Sequence, residues 1–284
     1  SWVENRLLFL SSIFAIDICA YAVMSNHIHI VLSVNKSAAL SWSLDTVLRQ
    51  WHKIHRGTLL TQRYLKGEVL SDIEIKAVKE TADIYRKRLF DISWFMRDLN
   101  EHIARKANEE DECTGRFWEG RFRSQALLTE KALLSCMAYV DLNPIRANAA
   151  KSLNDSVYTS IYTRLFCPSK NKKTQGLIPF KGEKRPKNKK YLNLTLKQYC
   201  FLLSDSIAAL TNSLPKNSTT SSEVQNVERV IIDTTSPEWL QTISSFENLF
   251  SFAVGNTASM LAFKKRTNRK RMACIKSAAV CFDD

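Results

Sequence analysis

The sequence predicts an α+β protein in which a short antiparallel sheet lies among many helices. Two apolar, β-branched runs at residues 16–23 and 27–34 flank a short turn with the sequence MSN, so they predict a hairpin. Much of the remaining chain spaces its apolar residues three and four apart, as helices do. Hydrophobic residues make up 45% of the 284 residues, which is enough for a packed core.

Helices are predicted around this hairpin in the first half of the chain. Residues 2–15 suit an amphipathic helix, and residues 36–111 are mostly helical by pattern. The segment GRFWEGRFRSQALL at 115–128 alternates aromatic and basic residues, which is typical of a strand. Thr129-Glu130 then begins a helix. This helix stops or kinks at Asn143-Pro144, because proline disfavours the α conformation in the residue before it.

The second half is predicted to be a smaller helical region that follows a linker. We predict a first domain over 1–165, a basic linker over 166–190 and a C-terminal region over 191–284. Residues 193–210 look helical, and residues 211–226 are rich in Ser, Thr and Asn and predict a loop. A further helix begins at Ser236-Pro237-Glu238, where a capping serine precedes a proline in the first turn.

Charge is distributed unevenly along the chain. The net charge is +13, with 21 basic and 19 acidic residues in 1–160 against 20 and 9 in 161–284. The tail contains the basic run KKRTNRKR at 264–271. A basic half attached to a near-neutral half suggests an anionic polymer partner, of which nucleic acid is the commonest. The alternative is a charge excess that only keeps the protein in solution.

Other sequence features indicate a cytoplasmic protein. The seven cysteines lie far apart and form no CxxC motif, which favours reduced thiols over disulfides or a zinc site. No apolar run has the length of a membrane span, and there is no secretory signal, so no membrane partner is expected. A GxxxxGK[ST] loop is also absent, which argues against ATP chemistry.

Two histidines lie within the second predicted strand, in the sequence MSNHIHIVL. Side chains alternate along a strand, so His27 and His29 share one face about 7 Å apart, while Ile28 and Ile30 point into a core. Such a pair can offer two imidazoles to one divalent metal ion. Taken alone, the pattern is more often two polar residues on a half-exposed strand face.

The motif MAYVDLNPIRA at 137–147 places Tyr139 and Asn143 one helical turn apart on the same face. A phenol attacks a phosphodiester only where a metal ion neutralises the phosphate and helps to ionise the phenol. An amide oxygen one turn away would complete the metal ligands. The alternative is ordinary: Tyr139 packs in the helix and Asn143 caps its end before Pro144.

The segment GRFWEGRFRS at 115–124 combines three arginines with three aromatic residues. Aromatic rings stack on unpaired bases and arginines bind phosphates, so the composition fits a single-strand binding surface. The residues are Arg116, Arg121 and Arg123 with Phe117, Trp118 and Phe122. A half-buried strand with solvated arginines explains the pattern equally well.

The ordered set MSNHIHIVL, GRFWEGRFRSQAL and YVDLNPIRA resembles the REP-associated tyrosine transposases. These belong to the HUH-type single-tyrosine transposases of bacterial insertion sequences, and the resemblance covers roughly residues 1–165. It implies a ferredoxin-like catalytic domain whose antiparallel sheet carries the histidines. Residues 191–284 resemble, less specifically, the C-terminal extensions of some members.

The resemblance also implies the roles of individual residues. His27 and His29 would bind Mg²⁺ or Mn²⁺, and Tyr139 would attack the scissile phosphate to leave a 5′-phosphotyrosine and a free 3′-hydroxyl. Asn143 stands where relatives use Gln as a third metal ligand. The predicted DNA contacts are Arg116, Trp118, Arg121, Arg123 and Arg146. The expected partner is single-stranded DNA with hairpin or palindromic repeats, bound by a monomer or a homodimer.

One departure from the family concerns the first strand. Relatives have a strand and an arginine-containing loop upstream of the helix that begins here at Trp2, and that strand is central in a ferredoxin-like sheet. The sequence is then a fragment, a truncated gene product or a chain whose strand is supplied otherwise. If the strand is absent, we expect an exposed sheet edge with poor solubility or aberrant pairing, relative to a chain extended at its N-terminus.

Three functions remain open at this point. The leading one is a metal-dependent enzyme that cleaves and rejoins single-stranded DNA. The second is a truncated or domesticated protein that binds structured single-stranded nucleic acid without cutting it. The third is a metal-dependent hydrolase of small phosphoesters, which needs only the histidines and leaves Tyr139 and the basic residues unexplained.

Overall fold

The computed structural model describes residues 1–167, 176–183, 190–211 and 232–283. Helices dominate, and one small two-stranded sheet is antiparallel, so the predicted α+β class is confirmed at that level. In the described residues no helix has the length and hydropathy needed to cross a membrane. The predicted loop at 211–226 lies almost wholly outside the described residues, as does much of the predicted basic linker.

The chain divides into two compact units, each assembled from separate stretches. Unit 1 comprises Ser1–Cys19, Leu32–Phe122 and Thr163–Ile178, and unit 2 comprises Ala20–Val31, Arg123–Tyr162 and Pro179–Asp284. The units do not follow the predicted boundaries at 165 and 190, because most of the C-terminal region belongs to the same unit as the histidines. Whether residues 1–165 fold alone stays a prediction.

The elements up to residue 110 are one helix, the two strands of the hairpin and then five helices. In chain order they are α1 (Trp2–Ser11), β1 (Ile16–Val23), β2 (Ile28–Val34), α2 (Lys36–Ser41), α3 (Leu44–His52), α4 (Leu59–Leu65), α5 (Asp72–Arg88) and α6 (Ile92–Glu110). Within unit 1, α1 packs against α6, and α5 packs against α3 and α4. The predicted helical character of 36–111 is therefore confirmed.

The remaining elements build most of unit 2. They are β3 (Ala126–Leu127), α7 (Glu130–Asp141), α8 (Asn143–Arg146), α9 (Ser160–Phe166), α10 (Leu196–Leu210), α11 (Pro237–Leu249), β4 (Ala253–Val254), α12 (Thr257–Arg266) and α13 (Ile275–Phe282). The helix that was predicted to begin at Ser236 is α11, and the Ser236 side chain accepts a hydrogen bond from the Trp239 backbone N–H as expected of a cap.

The predicted hairpin is present and forms a two-stranded sheet of β1 and β2. Among the described residues β2 has β1 as its one strand partner, and Ile28 and Ile30 are half-buried rather than enclosed in a core. The edge of β1 is partly covered, because Ile18 bridges Leu177 and Ala22 bridges Thr159.

The break at the end of α7 is also as predicted. Helix α7 ends at Asp141, and α8 adds one turn that includes Pro144. Asp141 is fully buried, and its carboxylate accepts hydrogen bonds from the Ser160 hydroxyl at 2.6 Å, the Ile161 N–H at 3.0 Å and the Tyr199 hydroxyl at 2.7 Å. Because these donors satisfy a buried charge, they hold the end of α7 and α8 in a defined position.

Candidate functional site

Five of the predicted site residues lie close together within unit 2. His27 and His29 come from the hairpin, Tyr139 from α7, and Asn143 and Arg146 from α8. Their side chains contact one another, so residues far apart in the sequence meet in one cluster. We call this cluster the histidine–tyrosine site.

The two imidazoles lie next to each other. His27 is exposed and immediately precedes β2, whereas His29 lies within the strand and is half-buried. Their ring centroids are 4.8 Å apart, and the rings are edge-on at 78°. The prediction that the alternation of a strand brings both rings to one side is consistent with this contact.

The same nitrogen is held by an oxygen in both rings. Nδ1 of His27 lies 2.6 Å from the Asn26 amide oxygen, and Nδ1 of His29 lies 3.1 Å from a carboxylate oxygen of Glu247. Because both oxygens accept, each Nδ1 carries the proton when the ring is neutral. The lone pair then resides on Nε2, as in histidines whose second nitrogen binds a metal ion.

His29 is kept neutral by its surroundings. Burial lowers the pKa of His29 below its ordinary value of 6.5, and the nearby His27 and Arg146 lower it further, against the opposing effect of Glu247. The contact between His29 and Glu247 is therefore a hydrogen bond from a neutral ring near neutral pH. A neutral imidazole is the form that can donate a lone pair.

Tyr139 lies beside the second histidine. Its ring centroid is 5.6 Å from that of His29 and 5.7 Å from that of Phe246. The guanidinium carbon of Arg146 lies 3.9 Å from the centre of the tyrosine ring. Tyr139 is 8% exposed, and its hydroxyl has no hydrogen-bond partner among the described residues. The phenol is thus held by its ring while its oxygen stays uncommitted.

Asn143 presents its amide nitrogen to the histidines. Arg146 only donates hydrogen bonds, so the amide oxygen of Asn143 must be the atom 3.1 Å from the guanidinium. The amide nitrogen consequently faces Nε2 of His27 at 3.3 Å. In this arrangement the amide oxygen is not turned toward the imidazoles, so a role as third metal ligand requires the amide to rotate.

Arg146 is engaged within the protein. Besides Asn143 and the tyrosine ring, it donates to the Ser244 carbonyl at 2.6 Å and to the Tyr139 carbonyl at 3.4 Å. Its Nε is buried without a hydrogen-bond partner. The predicted DNA contact of Arg146 stays a prediction, and the structure gives this side chain a clear role in joining α7, α8 and α11.

Helix α11 supplies residues that the sequence did not reveal. Its backbone leaves helical geometry at Ser245, with φ −133° and ψ 28°, next to the Ser244 carbonyl that accepts from Arg146. Phe246 packs on Tyr139 and Glu247 contacts His29. Nothing in the local pattern of α11 points to this role, because Phe246 and Glu247 fit an ordinary amphipathic helix with one buried and one exposed face.

The donor set fits a divalent cation in part. Two imidazole Nε2 atoms and an amide group meet there, and imidazole and amide oxygen are common metal ligands. In the described part of the chain, no group of three or more His, Cys, Asp or Glu residues is placed to hold a metal ion. A cation at this site would therefore take its other ligands from water or from substrate oxygens.

The arginine–aromatic segment is a loop, so the predicted strand over 115–128 is wrong except for Ala126–Leu127. Gly115 has φ +127°, and the Arg116 guanidinium bonds to the carbonyls of Trp118 at 2.8 Å and Glu119 at 2.6 Å, which curls the chain. The alternation of aromatic and basic residues in this segment therefore does not reflect a strand, apart from Ala126–Leu127.

The predicted DNA contacts of this loop divide between the two units. Arg116, Trp118 and Arg121 belong to unit 1 and Arg123 belongs to unit 2. The three arginines are exposed, and the Trp118 indole donates to the Asn100 carbonyl at 2.9 Å. Their role in DNA binding stays a prediction that exposure permits.

The basic run at 264–271 lies on the surface of unit 2. It covers the end of α12 and the turn that follows, and five of its six basic side chains are exposed. Arg269 stacks on the exposed ring of Phe252, with 4.4 Å between the guanidinium carbon and the ring centre. Phe252 directly precedes β4, which pairs in parallel with β3.

Comparison with known proteins gives no neighbour: no family model, no curated protein and no solved structure matches this chain. The likeness to HUH transposases therefore depends on the three motifs alone.

The seven cysteines are all free thiols, in agreement with the sequence.

Proposed function

We propose that this protein is a metal-dependent enzyme that cleaves and rejoins single-stranded DNA through Tyr139. The observation that carries the proposal is the meeting of two imidazoles, each with Nδ1 against an oxygen acceptor, and a tyrosine ring 5.6 Å from one of them. The three residues are those that the motifs identify with the HUH transposases. The ferredoxin-like arrangement of that family is part of the same proposal.

The chemistry is a transesterification. The Tyr139 oxygen attacks the phosphorus of a phosphodiester, a new phosphorus–oxygen bond forms to the tyrosine, and the bond to the 3′ oxygen breaks. The phenol proton is lost and the departing 3′ oxygen gains one from solvent, so no net acid or base is consumed. Since one ester replaces another, rejoining requires no ATP, in accord with the absent P-loop motif.

The residues of the chain have distinct tasks in this reaction. His27 and His29 hold a divalent cation, Mg²⁺ or Mn²⁺, which when bound neutralises charge on the phosphate and favours the phenolate. Phe246 and Arg146 hold the tyrosine ring from its faces. Asn143 contacts His27 and, after rotation of its amide, brings an oxygen toward the same place.

Substrate binding is assigned to exposed basic and aromatic residues. Arg116, Arg121 and Arg123 carry charge on a loop that also exposes Phe117 and Phe122. The run at 264–271 adds a second basic surface. Such surfaces bind single strands through phosphate contacts and base stacking, with an affinity that falls steeply as salt rises.

A second candidate function is binding without cleavage. The observation that favours it is the amide of Asn143, whose oxygen is held by Arg146 and whose nitrogen faces His27. A protein that had lost the metal ion would keep such a hydrogen bond between the amide and the imidazole. The arginine–aromatic loop would still bind single-stranded nucleic acid.

The two functions differ in whether a covalent adduct forms. The test incubates the full chain with hairpin-bearing, single-stranded oligonucleotides and Mn²⁺, and looks for a protein–DNA species that survives denaturing electrophoresis. The proposal expects this species with the wild type and its loss in Tyr139→Phe, with binding retained. Persistent binding without an adduct in any tested metal ion supports the second candidate and contradicts the first.

A further inference from the structure

Glu247 stands out among the residues around the histidines. It is the one carboxylate that contacts either imidazole in the described part of the chain, and it comes from α11, in a region to which the sequence assigned no role. One of its oxygens lies 3.1 Å from Nδ1 of His29, while 57% of its side chain remains exposed. An exposed carboxylate gains little stability from such a contact.

The position of Glu247 indicates that it orients a metal-binding histidine rather than binding a metal ion itself. It contacts Nδ1, so it lies on the side of the ring away from Nε2, the atom that carries the free lone pair. A carboxylate there fixes which nitrogen is protonated and limits rotation of the ring. Carboxylate–histidine–metal arrangements use this geometry, and loss of the outer partner weakens metal binding.

The backbone of α11 directs the carboxylate to this place. The helix departs from regular geometry at Ser245, and Arg146 binds the preceding carbonyl of Ser244. Phe246 then packs on Tyr139, and Glu247 comes next in the chain. The short segment after the irregular Ser245 thus contacts both Tyr139 and His29.

We infer that Glu247 is a positioning residue that holds His29 in its Nδ1–H form, so that Nε2 points its lone pair toward a divalent cation. The inference depends on the proposed function, because the cation belongs to that proposal. It adds that the C-terminal region is part of the metal site rather than an appendage to it.

The first test reads the tautomer of His29 without any metal ion. Nitrogen-15 NMR of histidine-labelled full-length protein distinguishes protonated from unprotonated ring nitrogens. We expect Nδ1–H in the wild type and a shift toward Nε2–H, the form preferred by a free histidine side chain, in Glu247→Ala. Glu247→Gln keeps an oxygen acceptor and should retain Nδ1–H. Glu238→Ala, an exposed glutamate at the start of the same helix, is the matched control.

The second test measures Mn²⁺ binding to the same proteins by the electron paramagnetic resonance signal of free Mn²⁺. Glu247→Ala should bind about 10–100-fold more weakly, the usual cost of losing an outer partner of a metal ligand. Glu247→Gln should recover most of this loss, and Glu238→Ala should match the wild type. An unaltered tautomer or an unaltered affinity in Glu247→Ala overturns the inference. If the wild type binds no Mn²⁺, both the proposed function and this inference are contradicted. If the wild type binds Mn²⁺ and Glu247→Ala binds it equally well, only the inference is contradicted.

Discussion

Two histidine–carboxylate pairs in this protein have the same length and different surroundings. His29 and Glu247 in unit 2 are 3.1 Å apart, and so are His55 and Asp98 in unit 1. His55 uses Nε2 and contacts a carboxylate that is 5% exposed. His29 uses Nδ1 and contacts a carboxylate that is mostly in solvent.

The neighbours of the two rings explain the difference. His55 lies against Trp51 with 4.2 Å between ring centroids, and Trp94 and Arg88 complete an aromatic and cationic cluster around it. We call this the tryptophan cluster. His29 instead borders a second imidazole and a phenol. A histidine–carboxylate pair is thus a packing feature in unit 1, whereas under the proposed function it is part of the reactive site in unit 2.

The largest expected effect separates the two histidines by activity. His29→Ala should lower Mn²⁺-dependent adduct formation by more than about 100-fold, since even outer partners of metal ligands are worth 10–100-fold. His55→Ala should leave the adduct within about twofold of wild type at a temperature where it stays folded, because surface and packing changes far from the reacting groups act mainly on stability. Quantified adduct yields check both variants, and equal losses of adduct would contradict the different roles given to His29 and His55.

The two arginine–aromatic contacts should differ in stability. Arg146→Ala removes hydrogen bonds to two carbonyls and an amide as well as the contact with Tyr139, so it should lower the free energy of unfolding by about 1–3 kcal/mol. Arg97→Ala loses an exposed stacking contact with Trp94 and should cost less than about 1 kcal/mol. Urea unfolding measures both, and a reversed order would contradict the internal role of Arg146.

Loss of the carboxylate should destabilise the protein more in unit 1 than in unit 2, whereas loss of the histidine should reduce adduct formation more in unit 2 than in unit 1. Asp98→Ala removes a buried partner of His55, so we expect a loss of about 1–3 kcal/mol. Glu247→Ala removes an exposed partner and should cost under about 1 kcal/mol. Thermal or urea unfolding of both variants checks the ranking. A Glu247 variant that unfolds more easily than the Asp98 variant would make Glu247 a structural residue.

The smallest effect concerns acid. The folded-state pKa of His29 is lowered, so the unfolded chain binds the proton first as the pH falls below about 6.5, and stability drops until the lower folded-state pKa is passed. His29→Gln lacks this group and should lose less free energy of unfolding between about pH 7.5 and pH 5. Gln241→Ala, on α11 without a titratable group, serves as control. Equal acid sensitivity in all three proteins would show that His29 is not held neutral.

Local patterns predicted the parts of the site that depend on neighbouring residues. The hairpin follows from two β-branched runs and a turn, and the end of α7 follows from Pro144. The adjacency of the imidazole rings is consistent with the alternation predicted for a strand over 27–34, of which the structure shows Ile28–Val34. These predictions needed only periodicity and the chemistry of single residues, which the sequence contains directly.

Long-range packing supplied what the patterns could not. Glu247 and Phe246 reach the site because α11 packs on α7, and their spacing in the sequence carries no sign of it. The prediction for the loop at 113–125 was wrong for the opposite reason, because its alternation is local and no strand in the described residues pairs with it. The proposed metal role of Asn143 depends on the direction in which its amide faces, and the hydrogen bond from Arg146 sets that direction in the structure.

The most direct test of the central claim locates the covalent bond. After reaction of the full chain with Mn²⁺ and a hairpin-bearing oligonucleotide, protease and nuclease digestion followed by mass spectrometry identifies the modified residue among the eight tyrosines. The account predicts a nucleotide 5′-phosphate on Tyr139, absent when a chelator replaces Mn²⁺ or when His29 is Ala. Attachment to another tyrosine, or to Tyr139 without a metal ion, would contradict it.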